Sequence, residues 1–220
     1  MFFIFLSRPT LARWNDAANG SGGTVHPAKR SLLTSSAGPA SREDPYRPED
    51  LRLVQRRIAE AKAANPDLIY LCGPIMGDAG PGLYVPETIV DVMRERLLPM
   101  ADIATPNPFE LTWLTGREIA TPADLKTARQ VLHIATEARL IATGCTLEDT
   151  LDSHIESAIL GPGGISRHPT VHLPIALPGT SDLFAGMIVA GLGHGFALTH
   201  AVETAQTLTS RAPSRAGKPE

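Results

Sequence analysis

Cysteine is almost missing from this chain of 220 residues: Cys72 and Cys145 are the only two. They lie far apart, which leaves no basis for a disulfide framework or a cysteine-based zinc site and suits a reducing cytoplasm. Aromatic residues are scarce at 5%. Neither sign of charge dominates, since 20 Lys and Arg face 23 Asp and Glu for a net charge of −3. Such a balance argues against binding to nucleic acid or to an anionic membrane surface. No stretch approaches the roughly 20 apolar residues of a membrane span. The apolar start MFFIFLSRP is short and has no basic residue before it, unlike a secretory signal. It is expected to be a frayed end or a start foreign to the fold. A Walker GxxxxGK[ST] loop is absent too, which excludes a P-loop kinase.

What remains is a globular composition, 43% hydrophobic and 20% charged, enough for one domain with a real core. Residues 1–47 are rich in Gly, Ser, Ala, Pro and Arg and show no sustained period, so they read as a low-complexity, disordered segment. Packed structure is expected over 48–210, and 211–220 reads as a disordered tail. Pro48-Glu49-Asp50 opens a helix in which Leu51, Val54, Ile58 and Ala61 recur at helical spacing. Strand LIYLC follows, then a helix over Pro86–Leu97, strand ADIAT, and a helix over Phe109–Thr115 closed by Gly116. Thr121 starts a helix reaching Ile134. Strands are expected at Ala138–Ala142, His154–Leu160 and Thr170–Leu173, and helices at Asp182–Gly191 and Leu198–Leu208. Strands alternating with helices across short Gly/Pro junctions call for a layered α/β sheet.

Polar residues gather where the strands stop, the edge at which open α/β sheets bind ligands. The Gly73–Gly82 loop carries one acid, Asp78. Pro106-Asn107-Pro108 leads into a helix bearing Glu110, so Asn107 and Glu110 share one side of its first turn. An amide and a carboxylate there suit Mg²⁺, which takes few protein oxygens and binds substrate phosphates. They equally suit a capping Asn with a solvated Glu. Thr143-Gly144 follows a strand and can put a hydroxyl on the same edge. Gly179-Thr180-Ser181-Asp182 opens another helix, where unpaired N–H groups favour a phosphate and Asp182 can take a proton from an alcohol. Thr, Ser and Asp are also ordinary caps. His168 and His172 sit in an extended, Pro-containing stretch, a poor zinc pair.

Three blocks, GPIMGDAGPGLYVPE, RERLLPMADIATPNPFELTWLTG and PGTSDLFAG, resemble pyridoxal kinases of the ribokinase-like superfamily, with forms such as DPVMGD, TPN-FE and GTGDLF. The likeness runs from about Leu51 to Leu208. It implies a three-layer α/β/α ribokinase-like sandwich, incomplete at the N-terminal side. It also implies ATP-dependent phosphorylation of the 5′-hydroxymethyl group of pyridoxal, pyridoxine or pyridoxamine, in a homodimer using Mg²⁺ and a monovalent cation. By position, Asp182 matches the catalytic base, and Gly179, Thr180 and Ser181 the anion hole. Asn107 and Glu110 match the metal–phosphate residues, Asp78 a metal acid, and Thr143 a hydroxyl residue that touches ATP phosphate.

Departures from the pattern support other readings: an impaired nucleotide- or vitamer-binding relative, or a hydroxymethylpyrimidine kinase. Gly73 stands where the family has an Asp, Gly144 replaces a common Ser, and Ser181 replaces a Gly. If Ser181 needs a positive φ, its Cβ is strained. The segment before Leu51 lacks the family's early strands, leaving a sheet edge uncovered.

Overall fold

The computed structural model describes residues 2–7, 33–35, 47–172 and 179–211. Its centre is strand β3 (Leu68–Gly73), buried along its whole length. Alternate residues of a strand face opposite sides, and both faces of β3 are apolar. Tyr70 and Cys72 join one core cluster, Ile69 and Leu71 the other. A strand of that kind must be covered by helices on both sides.

The first cluster packs β3 under α1 (Pro48–Ala64), α2 (Glu87–Val92), α3 (Pro108–Thr115) and α4 (Pro122–Val131). On the opposite face lie α5 (Thr180–Gly193) and α6 (Leu198–Arg211), which bury Phe184, Ile188, Val202 and Ala205. Helix, sheet and helix thus make the three layers expected from the sequence. The expected helix Pro86–Leu97 changes character at Met93. It widens into a π turn, Met93–Leu97, and closes in a 3₁₀ turn, Leu98–Met100. Pro99 has no N–H to continue an α-helical ladder.

The seven-stranded sheet has the order β2 (Leu33–Ser35), β1 (Phe2–Ser7), β3, β6 (Ile103–Ala104), β7 (Arg139–Cys145), β8 (His154–Gly161), β9 (Gly164–Val171). The short β6 (Ile103–Ala104) runs parallel to β3, and β7 (Arg139–Cys145) parallel to β6. Next, β8 (His154–Gly161) and β9 (Gly164–Val171) form an antiparallel hairpin. The final strand therefore starts earlier than the Thr170–Leu173 read from sequence, and Leu173 lies outside the described residues. A separate two-stranded ribbon joins β4 (Gly77–Asp78) to β5 (Gly82–Leu83).

Two findings correct the reading of residues 1–47. Phe2–Ser7 forms β1, antiparallel to β3 from Phe2 opposite Gly73 to Ser7 opposite Leu68. Leu33–Ser35 forms β2 beside it. The expected frayed start is a strand, and the edge of β3 expected to lie bare is paired. An apolar run of this length is long enough for a strand, and β3 offers it a full register of partners. The remainder of residues 1–47 and the tail from 212 lie outside the described residues. At the tail's other end, Ser210 and Arg211 continue α6 instead of leaving it.

Candidate active site

Strands β3, β6 and β7 run in one direction, so the loops after Gly73, Ala104 and Cys145 leave from a single edge. At that edge Asn107 caps α3. Its side-chain oxygen accepts from the Glu110 N–H at 2.8 Å, and the Glu110 carboxylate accepts from the Asn107 N–H at 3.0 Å. This reciprocal box satisfies two donors that the helix cannot. Two further bonds carry it out of the helix. Asn107 Nδ2 donates to the Gly77 carbonyl at 2.9 Å, and the Met76 N–H donates to Glu110 Oε1 at 2.6 Å. One cap therefore locks the loop after β3 to the loop after β6.

Glu110 is not the solvated first-turn acid that a simple cap provides. It is only 2% exposed. Its pKa is raised to about 7: burial raises it most, the N–H bonds from Asn107, Met76 and Gly77 pull it down, and the Asp78 charge adds to the rise. Asp78 itself is exposed on β4, where its Oδ1 accepts from the Ala79 N–H at 2.8 Å. Tyr84 stands beside both acids. Its phenol is held above the ordinary value by loss of solvent first and then by the charges of Asp78 and Glu110. Sequence reasoning missed Met76, Gly77 and Tyr84 as members of this cluster. Only Tyr84 carried a signal, as the lone aromatic between the glycine loop and the next helix.

Thr143 joins the same group from β7, donating its N–H to the Pro106 carbonyl at 3.0 Å. Just beyond it the ladder slips, with Ala142 opposite Ala158 but Cys145 opposite Glu156. That is a one-residue bulge, and Gly144 takes the left-handed φ of +66° inside it. The Gly144 departure thus sits where glycine is the favoured residue.

The remaining predicted residues open α5. Gly179 has a φ of +85° and caps the helix without any side-chain bond. Thr180 and Ser181 are exposed. Ser181 lies within the helix and is not among the positive-φ residues, so the strain expected of its Cβ does not arise. Asp182 is half-buried, and its Oδ1 is buried with no hydrogen-bond partner.

Helices α5 and α6 form a hairpin on the sheet face opposite α1–α4. Gln206 Nε2 donates to the main chain of Ile155 and His168, at the β8 and β9 ends nearest the edge just described. Gln206, in the C-terminal half of α6, thus lies close to that edge. Helix α5, joined to it through His194–Ala197 and packed against it with Gly191 on Ala201, runs the opposite way. Among the described residues no hydrogen bond joins Asp182 to Asp78, Asn107, Glu110 or Thr143.

No group of three metal-binding side chains occurs among the described residues. His168 instead bonds to Glu203 of α6 at 3.0 Å. Both oxygens of Glu110 are already engaged by main-chain N–H groups, and Asp78 faces solvent. This donor set does not make a cage. It suits an ion that arrives with phosphates and keeps its own waters.

The family model for phosphomethylpyrimidine kinase matches residues 51–219. The chain belongs to that family. Within it, a curated pyridoxal kinase of Granulibacter bethesdensis is 34% identical over 136 residues, 60% of this chain and 48% of that protein. The chain thus spans about half the length of the curated relatives it matches. The pyridoxal kinase of Leishmania donovani, solved with ADP and pyridoxamine, is 27% identical with a TM-score of 0.66, over 79% of this chain and 62% of that one. Pyridoxal kinase from Entamoeba histolytica shares the fold at a TM-score of 0.68 and 23% identity, over 78% and 60%. The likeness carried by the three sequence blocks holds for family and fold alike.

Proposed function

We propose that this chain transfers the γ-phosphoryl group of ATP to the 5′-hydroxymethyl group of pyridoxal, pyridoxine or pyridoxamine. The observation that carries the reading is the start of α5: an unpartnered, buried Asp182 Oδ1 in a first turn capped by a left-handed glycine. A carboxylate left without a donor can accept a proton, and a helix start without a capping side chain can accept an anion. Asp182 takes the hydroxyl proton while the alcohol oxygen bonds to the γ-phosphorus, and the bond to the β–γ bridging oxygen breaks to release ADP. Gly179, Thr180 and Ser181 hold the moving phosphoryl group. Asn107 and Thr143 line the phosphate path.

Mg²⁺ would be held by Asp78, with Glu110 reaching it through water, and would neutralise charge on the phosphates. We include in the proposal the family's homodimer, its monovalent cation and a cytoplasmic setting. That setting suits two free, buried thiols and a chain with no membrane-crossing helix among its described residues. Nucleotide and vitamer in the Leishmania donovani structure support the choice of substrates, and the pyridoxal kinase relatives favour a B6 vitamer over hydroxymethylpyrimidine.

The test is a coupled assay of ADP release with MgATP and each candidate alcohol. Turnover with pyridoxal, reduced about 10²–10⁴-fold in Asp182→Asn, is the expected result. Nucleotide binding without turnover would replace this reading with that of a non-catalytic relative. Preference for hydroxymethylpyrimidine would move the substrate class.

A further inference from the structure

A cluster that the proposed chemistry does not use lies on the two strands beyond Thr143, β8 and β9. Arg167 of β9 sits in the same cross-strand row as Ala158 of β8 and Ala142 of β7, the residue before Thr143. Its guanidinium makes four bonds. Nε and Nη2 donate to the two Glu156 oxygens at 2.7 and 2.5 Å, while Nη1 and Nη2 donate to the Asp149 carboxylate at 2.6 and 2.7 Å. Glu156 is 2% exposed and stands opposite Cys145, where the bulge containing Gly144 ends. It also accepts from the Thr150 hydroxyl, which in turn accepts from the Leu147 N–H at 2.8 Å. From the other side the Glu148 N–H donates to the Ala120 carbonyl at 2.9 Å.

These bonds tie down the loop 146–153, the chain that continues directly from Thr143-Gly144. Buried ion pairs add little net stability against apolar packing. A forked guanidinium between two carboxylates instead fixes geometry. The loop it fixes follows β7 directly, three residues after Thr143. Its tip is Leu151, 69% exposed, and Val171 at the end of β9 is exposed too.

We propose that Arg167, with Glu156 and Asp149, is a positioning cluster for the nucleotide. It sets the bulge and the loop 146–153 so that Thr143 and the loop wall meet ATP, and it has no part in holding the alcohol. This inference rests on the kinase reading above. Binding, not turnover, is therefore the first readout: titration of a fluorescent ATP analogue and, separately, of pyridoxal. Arg167→Gln should weaken the analogue about tenfold and leave pyridoxal affinity unchanged. Asp149→Asn removes only the exposed arm, so it should fold normally and weaken the analogue several-fold. In turnover, KM for ATP should rise more than kcat falls, and Arg167→Lys should recover part of the loss.

Asp149→Asn decides the matter if Arg167→Gln fails to fold. Analogue affinity within twofold of the unaltered chain in Asp149→Asn would overturn the inference, as would equal losses for both ligands. An unaltered chain that binds no analogue would overturn it as well. An unaltered chain that binds but does not transfer phosphate defeats only the kinase reading.

Discussion

Gly77 and Glu110 show how much of the site depends on single atoms. A Cβ built on Gly77 would meet the Gly82 carbonyl oxygen and Phe109 Cε1, each at 2.5 Å. One of those contacts is backbone, which cannot turn aside. Gly77→Ala should therefore cost about 1–3 kcal/mol, read as a lower urea midpoint at unchanged m-value, and should cut turnover by moving Asp78. Glu110 is a case of opposing effects in which burial wins. Its folded value of about 7 lies above its ordinary 4.5. Between those values the folded protein keeps a proton that the unfolded chain has released. The stability this gives is complete below about 4.5 and is lost as pH rises to about 7. Glu110→Gln should flatten the fall in stability across that window, measured by denaturation at a series of pH values. A slope identical to that of the unaltered chain would show that Glu110 does not titrate there.

The same motif does two different jobs in neighbouring helices. Asn107 with Glu110 and Thr121 with Asp124 are both reciprocal capping boxes with a proline in the first turn. Only the first reaches a distant loop, at Gly77 and Met76, whereas Asp124 bonds no farther than the adjacent Ala120 N–H. Thr121→Ala should cost about 1 kcal/mol and leave catalysis alone. Asn107→Ala should cost at least as much in thermal stability and also lower turnover, since the loop after β3 loses an anchor. Equal effects on turnover would deny the Asn107 box any role in the site.

The contrast also shows what was readable at this scale. The helical period of α1, the caps of α3 and α4, and the left-handed Gly116 follow from local chemistry and were legible. Burial of Glu110 was not, because it depends on a loop 30 residues away folding back over α3. Arg167 escaped notice for a related reason: its partners Asp149 and Glu156 are brought to it only by the β8–β9 hairpin register. The span of β9 was misplaced because its exposed and half-buried residues carry little apolar alternation.

At the scale of the whole molecule, the least legible piece is β1, six residues that composition alone could not distinguish from a frayed end. It covers the outer edge of β3, and α5 lies against both strands. The strand that leads into the Asp78 loop and the helix that presents Asp182 are thus held from the same side. An unpaired β3 would offer a row of main-chain donors and acceptors to another chain. Each lost backbone bond removes only about 0.5–1.5 kcal/mol net, but the paired register runs over six residues, and those losses fall on one cooperative unit. Deletion of residues 1–7 should accordingly lower the thermal midpoint and shift the protein toward larger species in size-exclusion chromatography with light scattering. Hydrogen exchange should report the same event locally, with faster exchange in Leu68–Gly73 and little change in β8 and β9, four strand positions or more from β1 in the sheet. If β3 amides stay protected and the mass distribution is unaltered, β1 is not what closes that edge, and α5 alone must hold the Asp182 turn over the sheet.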